Sequence, residues 1–516
     1  MSTIDRQTFS NPVIPGFHPD PSICRVADTF YLVTSSFEYF PGIPIFASQD
    51  LVSWTQIGHC LTRASQLDLS KAKSSQGIYA PTIRWHDGRF YVTSTNVGGR
   101  GHFIVHTDDP TGEWSDPVWV DQNGIDPSLY FEDGVAYFQS NVELNQDGEH
   151  ALEPDFQRGL QQSIVNPLTG ERLTEPEFLW AGSGGRYPEA PHLFRRGDFY
   201  YLLAAEGGTE NGHMVTIARS ESPWGPFVGH PDNPILSHRS IASAIQSTGH
   251  ADFIELADGS WWAVLLGTRP VKNWHHLGRE TFLTPVSWGD DAWPQLGEGG
   301  RVLLTHDRPA LTASVARGDV RDETSHVREE FDSPVLGLEW NTLRRPLGVH
   351  SSLTERPGWL VLAGRDAGTD NLDLAFVGRR QQHFSLTAST LIEVTAGSRE
   401  AGLIVRMDER HHYEIFVADR EDGRHVVFRR QVGDLVSEQT AQVEYGPMLL
   451  EVAADEKAYV FSYRLDGSDA THAFPPADAR YLSTEVAGGF TGVFIGLFCS
   501  GVGSTASFDW FDYRGF

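Results

Sequence analysis

Ile125-Asp-Pro-Ser-Leu-Tyr-Phe-Glu-Asp-Gly-Val-Ala-Tyr137 reads as one strand, a tight turn and the start of a second strand, with a carboxylate at its head. Asp-Gly between two apolar runs is a strong hairpin signal, because glycine accepts the positive φ that the turn requires. The unit recurs. Tyr137 follows Asp126 by eleven residues, and the same interval joins Asp20 to Tyr31, Ala80 to Tyr91, Glu189 to Tyr200 and Ala251 to Trp262. Turn residues precede the other aromatics as well: Ala27-Asp-Thr-Phe-Tyr, Asp87-Gly-Arg-Phe-Tyr, Arg196-Gly-Asp-Phe-Tyr and Asp258-Gly-Ser-Trp-Trp. The five aromatic anchors are 60, 46, 63 and 62 residues apart. A short polar turn ending in Trp54, Trp114 or Trp224 marks three of the units again. Repeats of this size, each holding several short strands, read as five blades of a β-propeller. In the fourth unit Ala190-Pro191 is an alternative match to Asp20-Pro21, one residue out of step with Glu189.

Three of the five units carry an acid at the head of the first strand: Asp20, Asp126 and Glu189. If those strands line the central funnel, the three carboxylates meet in one shallow pocket. Asp-Pro and Glu-Ala-Pro also serve simply to start strands, since Asp and Pro are common turn residues. Three acids nearly in phase make that the weaker reading.

A chain of 516 residues exceeds one ordinary core, so more than one domain is expected. The 51 glycines, 29 prolines, 14 Trp and 30 Phe suit a turn-rich all-β protein. A net charge of −28 argues against nucleic acid, whose phosphates demand a basic face, and fits a neutral ligand. Cys24, Cys60 and Cys499 lack metal-type spacing and are expected to be buried, small apolar residues. No stretch is long and apolar enough to span a membrane, and Met1-Ser-Thr-Ile-Asp-Arg does not resemble a secretory leader, so a cytoplasmic location is expected. The repeat fades after Trp293. We expect a propeller over residues 1–310, a connecting segment over 311–327 and a second domain over 328–516. The last region alternates in strands such as Ser385-Leu-Thr-Ala-Ser-Thr-Leu-Ile, Tyr413-Glu-Ile-Phe-Val and Tyr459-Val-Phe-Ser-Tyr, the texture of a β-sandwich. It shows no acid cluster and reads as a packing and oligomerisation module.

Six motifs, in order, carry a resemblance. They are Asn11-Pro-Val-Ile-Pro-Gly-Phe-His-Pro-Asp-Pro-Ser-Ile23, Thr34-Ser-Ser-Phe-Glu-Tyr-Phe-Pro-Gly42, Asp126-Pro-Ser-Leu129, Tyr187-Pro-Glu-Ala-Pro-His192, Thr248-Gly-His-Ala-Asp252 and Gly278-Arg-Glu-Thr-Phe282. Together they resemble glycoside hydrolase family 43, and within it the two-domain β-xylosidases, over nearly the whole chain. The resemblance implies a five-bladed propeller, a C-terminal sandwich of the concanavalin-A-like jelly-roll type, and an inverting mechanism. Asp20 then matches the general base, Glu189 the general acid, and Asp126 a third carboxylate that adjusts the acid's pKa and orientation. Inversion needs the base and acid about 6.5–9.5 Å apart, so that a water fits between base and sugar. Arg279 and His250 match sugar-binding positions. Without the resemblance Arg279 reads as a surface salt-bridge residue and His250 equally as a structural histidine.

Phe37, Tyr39 and Phe40 lie in a Pro/Gly-bounded loop suited to a wall over a sugar ring, with Phe37 the favoured platform. Tyr79 stands before Ala80 where family relatives often carry Trp, and Trp274-His275-His276 is expected to line the entrance. The family architecture also implies that the sandwich lends a loop from the region 490–504. The expected activity is exo-acting removal of xylose from xylo-oligosaccharides. An α-L-arabinofuranosidase or a bifunctional enzyme is the alternative, and a non-catalytic sugar-binding propeller is a third reading. Retaining fructosidases are set aside because their Trp-x-Asn-Asp-Pro, Arg-Asp-Pro and Glu-Cys signatures are absent. The expected partner is a small oligosaccharide, with no nucleic acid, no membrane, no cofactor and no metal, in a homo-oligomer.

Overall fold

The computed structural model describes residues 8–66, 68–143, 158–310 and 325–516. The chain is all-β: one short α-helix and two 3-10 turns interrupt the strands among the described residues. Its first part holds five successive antiparallel sheets of four or five strands. They begin with the strands Ser22–Val26, Thr82–His86, Ser128–Glu132, Glu189–Arg196 and Gln246–Glu255, the second after the two-residue strand Gly77–Ile78 of the same sheet. Each of these first strands packs against the first strand of the next sheet, and the fifth packs against the first. Thr8–Ser10 pairs with Thr305–Asp307, so the two ends of this part are tied by backbone hydrogen bonds. The Asn11 amide adds bonds to the Leu283 and Leu303 carbonyls at 2.9 Å each.

The expected hairpins form where the turn chemistry demanded them. Asp87-Gly88 and Asp133-Gly134 both have positive φ at both residues, as the tightest hairpin turn requires. The pairing register, however, corrects the phase of two units. Ser22 faces Val33, Thr82 faces Thr93, Ser128 faces Gln139, His192 faces Leu203 and Asp252 faces Val264. Two residues before these lie Asp20, Ala80, Asp126, Ala190 and His250, which are therefore the equivalent positions. Ala190, not Glu189, shares the place of Asp20, and His250, not Ala251, holds it in the fifth unit. Four of the five have φ between 53° and 56°, Ala80 being the exception. Asp accepts this left-handed backbone readily, whereas Ala and His do so only where the surroundings impose it.

The second part is a sandwich of a nine-stranded and a six-stranded sheet. Leu386–Val394 alternates strictly between core and outer face at its start, as its sequence pattern demanded. The core between the sheets is rich in Leu, Ile, Val and Phe and includes Leu386, Ile415, Phe428 and Phe461. Of the expected connecting segment 311–327, residues 311–324 lie outside the described residues, while His326–Glu329 already pairs with Thr505–Gly515. Cys24, Cys60 and Cys499 are free and buried, as expected.

The two parts share a tight seam. Tyr39–Phe40 pairs with Thr342–Leu343, and the Tyr39 ring stacks on Phe494 at 3.8 Å and 12°. Tyr39 and Phe40 therefore face the sandwich and not the pocket. The Trp274-His275-His276 run is likewise an interface element: Trp274 packs on the sandwich core, His275 bonds Glu485 at 2.9 Å, and His276 is buried beside Phe384 and Tyr459. A buried charge cluster completes the seam, with Glu409 paired to Arg344 and Arg406 at 2.7 Å each and hydrogen-bonded by Ser74. Beside it burial, and then the Glu409 charge, push the carboxyl of Glu38 up to about 7.

Candidate active site

At the heads of the five first strands lies a pocket of about 400 Å³, counting its open mouth. Asp20, Phe37, Tyr79, Asp126, Glu189, His250 and Arg279 all line it, whereas Tyr39, Phe40 and the Trp274-His275-His276 run, also singled out from the sequence, do not. Ala80, Ile125, Thr209, His213 and Phe490 complete the lining. The equivalence of Asp20, Asp126 and His250 explains how three sheets deliver a side chain to one place. Glu189 reaches it differently: the pairing register slips between Glu189 and His192, and such a bulge re-aims side chains.

Asp20 is held as an anion. Arg279 donates from Nη1 to its Oδ1 at 2.8 Å, the Ser35 hydroxyl donates to Oδ2 at 2.5 Å, and His250 Nδ1 stands 3.5 Å from Oδ1. Burial alone would push its carboxyl up, but Arg279, then His250 and Ser35, outweigh that and leave it below its ordinary value. Arg279 is only 6 % exposed, so it is a buried partner of Asp20 and not a surface salt bridge. Its position is fixed by the Thr209 hydroxyl at 3.0 Å and the Phe490 carbonyl at 3.3 Å.

Glu189 is poised the other way. Burial, then the Asp20 charge, push its carboxyl up to about 7, although Arg279 and Arg158 pull against them. The Asp20 charge thus helps to keep Glu189 protonated. Asp126 is itself pushed well above its ordinary value by burial, by Glu189 and by Asp20. Its carboxyl takes a hydrogen bond from the Ala190 amide, directly after Glu189, which ties it to the backbone that carries the acid.

An aromatic wall faces these acids. Phe37 lies 4.9 Å from Tyr79 and 6.2 Å from Phe490, centroid to centroid, and the Arg279 guanidinium sits 5.6 Å above the Phe37 ring. Tyr79 donates its hydroxyl to the Ser75 carbonyl at 2.9 Å, which turns its ring edge into place. Phe490 comes from the sandwich, on a loop that begins with Gly488 and Gly489, both at positive φ. Its amide donates to the Ser75 hydroxyl at 2.8 Å, and the Ser75 amide donates to Glu38 at 3.0 Å, so the seam between the domains holds the pocket's cap.

Beneath the pocket the next layer is polar and closed. Arg84 holds both oxygens of Asp252, at 2.8 and 3.2 Å, and donates to His192 Nδ1 at 3.0 Å, while Ser22 and Ser128 bond into the same group. These bonds order the floor, in which His192 Nε2 is left without a partner among the described residues. Among the described residues no group of three or more His, Cys, Asp or Glu is arranged to hold a metal ion.

Thr209, His213 and Phe490 were not singled out from the sequence. The run Glu206-Gly-Gly-Thr-Glu-Asn-Gly-His213, rich in Gly after an apolar strand, marks a loop at the rim and would have pointed to the first two. Phe490 falls in the region that the family architecture implied, but no local pattern distinguishes it from any other loop aromatic.

Comparison with known proteins gives a consistent result. The family description "Glycosyl hydrolases family 43" matches residues 9–294, and "Beta xylosidase C-terminal Concanavalin A-like domain" matches 328–514. A non-reducing end alpha-L-arabinofuranosidase of Bacteroides ovatus is 43% identical, covering 99% of this chain and 96% of its own. A xylosidase/arabinosidase of Butyrivibrio fibrisolvens is 35% identical, covering 98% of each. The crystal structure of a xylan beta-1,4-xylosidase from Bacillus halodurans superposes with a TM-score of 0.91 at 31% identity, covering 98% of this chain and all of that one.

Proposed function

The chain belongs to glycosyl hydrolase family 43 and is a glycoside hydrolase, and on that premise we propose that its pocket releases single xylose residues from the non-reducing ends of xylo-oligosaccharides with inversion. The observation that carries the reading is the opposite poise of two carboxyls in one pocket, Asp20 buried and Glu189 half-buried. Asp20 is kept ionised by Arg279, and Glu189 is kept protonated by burial and by Asp20. That is the division of labour inversion needs: one group takes a proton from water while the other gives one to the leaving oxygen.

In this reading the Asp20 carboxylate accepts a proton from a water placed for attack on the anomeric carbon. Glu189 donates its proton to the glycosidic oxygen as that bond breaks. Asp126 steadies the Glu189 backbone through the Ala190 amide, and Arg279 keeps the base ionised while it binds sugar hydroxyls. Phe37 supplies the platform, Tyr79 the side wall and Phe490 the cap, and a pocket closed on one side admits a chain end only. The five sheets are five blades around the axis of this pocket.

A second reading, α-L-arabinofuranosidase or dual activity, is favoured by the printed names of the Bacteroides and Butyrivibrio relatives. Hydrolysis of xylobiose, xylotriose and xylotetraose beside aryl β-xyloside and aryl α-arabinofuranoside tests both readings. Xylose and the chain shortened by one unit, as the only early products from every chain length, are expected. Internal cleavage, or turnover of the arabinofuranoside alone, would discard the exo-xylosidase reading.

A further inference from the structure

We infer that His213 is a further substrate-binding residue, whose bare Nε2 accepts a hydrogen bond from one hydroxyl of the sugar in the pocket. The inference deepens the reading of this pocket as a glycosidase site and rests on it. His213 stands at the end of the Gly-rich 207–212 loop, directly before the strand Met214–Ser220, and it lines the pocket while being only 1 % exposed.

Its tautomer follows from its neighbours. Nδ1 lies 3.2 Å from the Ser247 carbonyl oxygen, which can only accept, so Nδ1 carries the proton. Nε2 is then a lone-pair acceptor. It is buried and has no hydrogen-bond partner among the described residues of the protein. An acceptor buried without a partner is destabilising, and a donor arriving with the sugar would relieve it. Burial, the His250 ring and Arg279 hold its pKa down at about 3, so the ring stays a neutral acceptor over the working range of the enzyme.

The ring is also clamped. A Cβ on Gly249 would fall 2.4–2.6 Å from three ring atoms of His213, so glycine beside His250 is what admits the imidazole. The His213 amide donates to the Glu210 carbonyl at 2.9 Å, which fixes the backbone from the other side. Of the pocket's carboxyl acceptors, Asp20 already takes Arg279 and Ser35. A neutral acceptor at a fixed place is what selects a hydroxyl over its absence, because a deoxy sugar leaves that acceptor unpaired.

The test is a cycle of variants against deoxy sugars. Binding of D-xylose and L-arabinose, and of their 2-, 3- and 4- or 5-deoxy forms, is measured by calorimetry on the full chain as wild type, His213→Phe and His213→Gln. One deoxy form is expected to bind wild type about tenfold or more weakly, and His213→Phe to lose a similar factor on the parent sugar. His213→Phe should no longer distinguish the parent from that one deoxy form, while still distinguishing the others. Gln, which carries a carbonyl oxygen near the place of Nε2, should regain part of the loss. Gly249→Ala, which displaces the ring without removing it, gives the second reading if His213→Phe does not fold. Equal weakening of every sugar, with no coupling to one hydroxyl, would show that the ring only packs and would overturn the inference. No binding of any pentose to wild type overturns it too. Turnover on the two aryl glycosides separates the cases. Hydrolysis without coupling sinks His213 alone, whereas coupling without hydrolysis sinks the hydrolase reading and leaves His213 as a sugar contact.

Discussion

Replacing Glu189 by Gln probes the poise of the pocket in stability and in rate together. The Glu189 carboxyl stands at about 7 in the fold against an ordinary 4.5, so the folded protein holds this proton more tightly than the unfolded chain does. The stability that the protonated form contributes is fully present below about pH 4.5 and is lost as the pH rises through about 7. The gap from 4.5 to about 7, at about 1.36 kcal/mol per pH unit, comes to about 3 kcal/mol. Gln has the same shape and never ionises, so it escapes that loss. We expect the variant to match wild type near pH 4 and to exceed it by up to about 3 kcal/mol near pH 8, roughly 5–10 °C in the melting of the propeller. In the rate, wild-type kcat/KM should fall above about pH 7 as Glu189 loses its proton. The variant should lose that alkaline limb, with nearly all activity on oligosaccharides and less of it on activated aryl glycosides. Thermal melts across pH, paired with pH–rate profiles, measure both. Equal melting of the two proteins at both pH values, or an alkaline limb that persists in the variant, would refute the reasoning.

Three further outcomes follow from the same geometry. Arg279→Met strips Asp20 of its cation at 2.8 Å, so the acid limb of the pH–rate profile should move to higher pH and kcat/KM should fall at least about a hundredfold; an unmoved limb would contradict the pairing. Phe490→Ala removes the cap but no reacting group, so KM for xylobiose should rise about tenfold with an unchanged melting temperature, whereas a loss in kcat alone would place Phe490 outside the binding wall. Glu409→Gln leaves Arg344 and Arg406 buried without their carboxylate and should cost about 3–5 kcal/mol, seen by calorimetry as an earlier or split melting transition; an unchanged melt would mean that the seam does not depend on the cluster.

Much of this site was legible because it is built on a repeat. Asp20 and Asp126 sit at equivalent places in their sheets, and the eleven-residue interval to an aromatic exposes those places in the sequence. Glu189 was found for a less secure reason: it lies one residue out of phase, at a bulge, and only its neighbour Ala190 keeps the repeat. A count of residues cannot see a bulge, because the extra residue changes pairing and not composition. The same limit moved the fifth unit, where the loop between Glu255 and Trp261 is longer and His250 takes the place given to Ala251. The sandwich strands were plain from alternation, whereas the seam was not. Tyr39, Phe40 and Trp274 look like pocket aromatics in the sequence, but Tyr39 and Phe40 are buried and Trp274 partly buried at the seam, by a partner surface that only the assembled fold supplies. Arg279 shows the converse: a lone arginine among polar residues becomes the pocket's central cation because the fold buries it against Asp20.

The central claim is that Asp20 as base and Glu189 as acid act across one sugar with inversion. Proton NMR of xylobiose with the wild-type protein, recorded in the first minutes before released sugar mutarotates, tests it most directly. The account requires α-xylose to appear first. β-Xylose as the first product would mean a retaining mechanism, and would contradict the assignment of the two carboxyls.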